Sequence, residues 1–242
     1  MVERVDSQRR RLTVLVAGAG LLTVMPVLAE PRRQTSPVPK NPNSNTDATT
    51  LPVSATERLM RDQGALSRIL LIYAAGARRI GQGEDLDAGL LAQTAEAMRD
   101  FIHEHHEKAK AEEIFPRFQK AGRLVELVNV LQAQQSAGRA LTDKILAAAT
   151  ATSSNAAQRK ELTDAMQASV TLYRPHSARE TTDLFPALRT IVPPSDFEEL
   201  GKTLEKRETE KLGPDGFEKV VAKLEAVEKR LGTYDLSQYT KT

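Results

Sequence analysis

From Ser54 onward, apolar positions recur at alternating spacings of four and three residues and nowhere alternate one by one. The pattern therefore predicts helices and no strands. Leu59, Gln63, Leu66, Leu70, Tyr73, Ala77 and Ile80 form one such seam, which Gly81 and Gly83 close. It is opened by Ser54-Ala-Thr-Glu57, a capping box in which Ser54 takes the amide three residues on and Glu57 reaches back. A second helix is expected from about Asp87 to Glu113 and a third from about Leu124 to Ala149. A fourth runs from the Asn155 cap, with Gln158 as its box partner, to Phe185. Four long amphipathic helices on short loops predict an all-α fold, an up-down four-helix bundle over 54–192. Past Pro193-Pro194, a third box at Ser195-Asp-Phe-Glu198 starts a helix to about Lys211. Gly213-Pro-Asp-Gly216 then turns the chain into a last helix, Phe217 to Leu231, with the stripe Val220, Leu224, Val227 and Leu231. Residues 193–242 are expected as a helical hairpin and tail laid against the bundle, or as an independent, partner-binding helix pair.

The N-terminus breaks this pattern. Arg4, Arg9, Arg10 and Arg11 precede Leu12 to Ala29, which carries no charge, and Val27-Leu28-Ala29 has the small residues of a cleavage site. Residues 1–29 read as a secretory signal peptide, and the arginine run also suits twin-arginine export. A retained membrane anchor is the alternative, against which stands an apolar run at the short end of a span. Residues 30–53, with Pro31, Pro37, Pro39 and Pro42 and few apolar side chains, read as a disordered linker. The expected location is outside the cytoplasm, periplasmic or extracellular, with no membrane association after cleavage.

Charge changes meaning once the leader is set apart. The whole chain has 34 basic and 32 acidic residues, and residues 1–29 hold four of the first and two of the second, so the remainder is balanced. Nothing there favours nucleic acid, which needs a sustained basic surface. The chain has no Cys, so any metal must be held by His, Asp or Glu.

An internal repeat carries the candidate chemistry. His106-Glu-Lys-Ala-Lys110 is followed by Ile114-Phe115-Pro116; seventy residues later, His176-Ser-Ala-Arg-Glu180 is followed by Leu184-Phe185-Pro186. Residues four apart share a helix face, so each pair points one way. The helix before each pair contributes Gln63 and Gln135, both in positions the periodicity reserves for the core. On the third helix Leu124, Val128, Leu131, Gln135, Gly138, Thr142 and Ile145 form that seam. Six polar groups are thereby expected to converge in the bundle, the arrangement a core metal centre uses. Of these, His106, His176 and Glu180 are ordinary ligands, whereas Gln63, Gln135 and Lys110 are not. Each Phe-Pro pair is expected to end or kink its helix, and Pro175 to bend the fourth.

The stretches Arg61-Asp-Gln-Gly-Ala-Leu66, His106 through Phe115-Pro116, Leu131 through Arg139 and Tyr173-Arg-Pro-His176 through Pro186 resemble the hemerythrin-like, or HHE cation-binding, domain of the secreted bacterial type. The resemblance extends to the C-terminal helix pair and to Tyr234-Asp-Leu-Ser-Gln-Tyr239. It implies a non-haem di-iron centre held by His, His-x-x-x-Glu, His and His-x-x-x-Glu on successive helices. The family's histidines of the second and fourth helices fall on His106 and His176, and its last glutamate on Glu180. Its first- and third-helix histidines fall on Gln63 and Gln135, and its second-helix glutamate on Lys110. Half of the ligand set is missing, so a complete di-iron centre is not expected.

Two readings of the centre follow. In a metal-free pseudo-site, Lys110 replaces the cationic charge and pairs with Glu180, while Gln63 and Gln135 hydrogen-bond His106 and His176. In a residual site, His106, His176 and Glu180 hold a single Fe or Zn, with His103, Glu107 and Glu113 as auxiliary groups. The core stripe otherwise turns His103 and His105 partly outward, as exposed helix residues. The functional expectation is a non-catalytic module binding or sensing a small ligand such as dioxygen; the alternative is a structural or interaction bundle. No phosphate loop, nucleophile elbow or zinc-protease helix is present.

Overall fold

The computed structural model describes residues 53–149 and 155–240. The expected leader and linker, 1–52, lie outside the described residues. No strand occurs among the described residues. Four helices form the bundle: α1 (Ala55–Gly81), α2 (88–121), α3 (Val125–Ala149) and α4 (156–191). The hairpin is α5 (Pro194–Leu212) and α6 (Gly216–Leu231), followed by a short 3-10 turn at Leu236–Tyr239. Ser54 caps α1 by accepting from the Glu57 amide at 3.3 Å. At Asn155 both halves of the capping box form. The third expected box does not: α5 starts at Pro194, one residue before Ser195, and has no side-chain cap. Proline fits a first helical position because its missing N–H is not needed there.

The Phe-Pro pairs do not end their helices. α2 runs on to Ala121 and α4 to Ile191, eight and six residues past their expected ends. Phe115 and Phe185 both keep right-handed helical backbone, and each donates its N–H five residues back, to the carbonyls of Lys110 and Glu180. These wide π turns, Lys110–Ile114 and Glu180–Leu184, give the proline ring the space that it denies a regular helix. The helix also continues unbroken through Pro175. A longer π segment, Met98–Glu107, brings more of its circumference inward than the 3.6-residue period allows.

The apolar core is in two parts separated by a polar layer. One cluster gathers Leu66, Tyr73, Phe101, Ile145, Met166 and Tyr173, closed by Leu224, Val227 and Leu231 of α6. The other gathers Leu59, Phe115, Phe118, Leu131, Phe185 and Leu188, closed by Leu200 and Leu204 of α5. The hairpin therefore packs on the bundle, as the first of the two expectations had it. It is also clamped by charge: Arg58 to Glu205 at 2.9 Å, Arg68 Nε to Glu228 at 3.0 Å, and Arg61 to Glu208 while stacking over Phe217.

Candidate functional site

Each bundle helix crosses the polar layer with residues that interrupt its apolar seam: Asp62 and Gln63 on α1, His103 to Lys110 on α2, Gln135 to Thr142 on α3, His176 to Glu180 on α4. At its centre Lys110, 1 % exposed, donates to Glu180 Oε1 at 2.6 Å and Oε2 at 2.7 Å. Both π turns begin at these two residues, so the repeat places the ammonium and the carboxylate at equivalent points of facing helices. Burial alone would raise the Glu180 carboxyl; the Lys110 ammonium, with His176 and His106 behind it, holds it well below the ordinary carboxylate range.

Gln63 ties the centre together. Its amide nitrogen donates to Glu180 and lies 3.4 Å from His106 Nε2, while its oxygen accepts from Ser177 Oγ at 2.5 Å. His106 turns its other nitrogen, Nδ1, to Asp62 at 3.2 Å. Across the repeat the match is imperfect. His176 Nδ1 is met by Gln134 Oε1 at 3.0 Å, in place of the expected Gln135, whose buried Nε2 has no partner. His176 Nε2 lies 3.3 Å from Glu180 Oε1, an ion-pair contact outside hydrogen-bond geometry.

The auxiliary groups do not join this centre. His103 and Glu107 form a neighbouring network in which His103 contacts Glu107 at 2.9 Å and Thr142 at 2.8 Å, and Tyr173 donates to Glu107 at 2.9 Å. Desolvation would raise Glu107, but His103, Lys110 and Tyr173 bring it below its usual value. Glu113 instead receives Arg207 of α5 at 3.2 Å. The outward placing of His103 and His105 is overturned, since both are buried. The π segment rotates His103 inward, and α5 covers His105 near Arg207. Burial drives the His105 imidazole down to about 4, against the opposing pull of Asp62.

Sequence reasoning passed over Asp62, Gln134 and Ser177, each one residue from a group it singled out. It placed Gly138 in a seam without assigning it a task. A Cβ there would lie 1.9 Å from the Tyr173 hydroxyl, so this glycine is the notch that admits the phenol to Glu107.

Residues 54–188 match the model of the hemerythrin HHE cation binding domain. The chain belongs to that family. It is similar to uncharacterized proteins of Mycobacterium tuberculosis and Mycobacterium bovis, 37% identical over 235 residues, spanning 96% of this chain and 90% of each relative. No solved structure matches. The family description is of cation binding in a helical module, and two iron ions are what its resemblance implied. The residues present do not fit them. A coordinated carboxylate needs free lone pairs toward the metal, and both Glu180 oxygens are taken by an ammonium that would repel a cation. Among the described residues no group of three or more His, Asp or Glu side chains is arranged to hold a metal ion.

Proposed function

We propose that this is an exported, non-enzymatic HHE-family module in which the Lys110 ammonium stands in the place of the family's metal ions. The observation that carries the reading is the two-pronged Lys110–Glu180 pair in a fully desolvated layer. A buried carboxylate at that point needs a cation, and here the chain supplies its own. The bundle keeps the polar geometry of a cation centre without depending on metal supply, which suits a structural or interaction role. Export is supported by the basic run Arg9-Arg10-Arg11, the uncharged stretch Leu12 to Ala29 and its small-residue end. Among the described residues no helix is long and apolar enough to cross a membrane.

A second reading, binding of a small ligand, draws on two buried nitrogens of the polar layer that make no hydrogen bond, Gln135 Nε2 and His176 Nε2, the latter 3.3 Å from Glu180. Such atoms call for a partner, and a small hydrogen-bonding molecule would supply one. Elemental analysis with an absorption spectrum tests the first reading. Iron and zinc are expected well below one per chain, without the near-ultraviolet band of bridged ferric ions. Iron approaching about two per chain, as the family's paired site would hold, overturns it.

A further inference from the structure

The face of α3 opposite its buried seam carries a seam of its own. Glu126, Val130, Ala133, Ala137, Ala140 and Lys144 recur at spacings of four and three, and all are exposed. Val130, at 55 %, is among the few large apolar side chains left in solvent. The seventy-two-residue offset that relates Gln135 to Gln63 carries Val130, Ala133, Ala137, Ala140 and Lys144 onto Arg58, Arg61, Ala65, Arg68 and Ile72 of α1. That face of α1 is the one the hairpin covers, through Glu205, Glu208 and Glu228, with Ala65 and Ile72 buried. The repeat-equivalent face of α1 is thus covered by a helix pair held through its arginines, while that of α3, with Val130, Ala133 and Ala140 in their place, is left uncovered by the hairpin.

The uncovered seam is spaced symmetrically about residue 135, so that Glu126 stands opposite Lys144, Val130 opposite Ala140 and Ala133 opposite Ala137 in an antiparallel copy. Its two end charges are opposite in sign, and no ion pair engages either among the described residues. On the adjacent helix Lys160 pairs with Asp164 at 2.6 Å and Arg179 with Asp183 at 2.9 Å. We propose that a second copy of this chain docks on this face, α3 against α3, antiparallel about a two-fold axis. Each Glu126 then meets the partner's Lys144, and the small side chains at the centre let the helices approach closely. A two-fold contact requires such self-complementarity, and a heptad-spaced seam is the pattern that paired helices bury.

Sedimentation equilibrium on the full chain is expected to return the mass of two copies. Ala137→Glu changes an exposed residue beside the axis and is expected to give one copy with an unchanged helical spectrum. Glu126→Lys or Lys144→Glu alone sets two like-charged pairs across the axis and weakens association by about tenfold. Glu126→Lys with Lys144→Glu restores it to within about threefold. A single copy at about 100 µM, a dimer that survives Ala137→Glu, or a double variant no tighter than the single ones overturns the proposal.

Discussion

The two halves of this molecule repeat each other in sequence and differ in how their polar residues are used. In the first half Gln63 makes contacts to Glu180, His106 and Ser177, and Asp62 holds His106 from behind. In the second, Gln135 leaves its nitrogen unpartnered and the neighbouring Gln134 takes over His176. The first half contributes the cation, Lys110, and the second the anion, Glu180. The hairpin lies over α1 and leaves α3 bare. Here the two halves serve as donor and acceptor of one internal ion pair, while His106 and His176, Gln63 and Gln135 and the Phe-Pro pairs keep the repeat in the side chains. The matched π turns begin at Lys110 and at Glu180 and lead into the same Phe-Pro pair, so equivalent backbone carries side chains of opposite charge.

Removing one side of the pair tests that division most severely. Lys110→Ala leaves Glu180 buried without its cation, and is expected to cost about 3–5 kcal/mol in urea unfolding. Lys110→Met with Glu180→Leu, which removes both charges, is expected to recover most of that loss. A double variant as unstable as Lys110→Ala would mean that packing, and not charge, binds the halves. Acid should then discriminate between them, because His105 under the hairpin has Pro175 as its repeat counterpart. Below pH 6.5 the unfolded chain takes up a proton that folded His105 refuses until about pH 4. Stability is therefore expected to fall by about 3 kcal/mol as pH drops through that window, and His105→Gln to flatten the fall. Thermal melts between pH 7 and 4 measure it. The glutamines give the smallest effect and the most direct comparison. Gln63→Ala strips a donor from a buried carboxylate and is expected to cost about 2 kcal/mol, Gln135→Ala less than about 1. Equal losses on chemical denaturation would erase the asymmetry.

Much of this arrangement was legible in the chain. The convergence of Gln63, Lys110 and Glu180 followed from helical spacing and the repeat, because residues four apart must share a face. The pairing of Lys110 with Glu180 is one of the two readings the sequence leaves open, resting on the cost of burying either charge alone, and it is the contact the structure contains. The helix ends at the Phe-Pro pairs were misread: proline statistics describe regular helices, and a turn with a bond five residues back escapes them. His103 and His105 were misplaced for the same reason, together with a hairpin whose docking face cannot be read from α2 alone.

Periodicity, caps and the repeat were sufficient for the helices, their order and the polar layer, since all three are local properties of the chain or of its comparison with itself. Which glutamine holds which histidine, why Gly138 carries no side chain, and which half the hairpin covers depend on contacts between residues far apart in sequence. Those contacts are decided at a scale of tenths of an ångström in a packed interior, below what any spacing rule resolves.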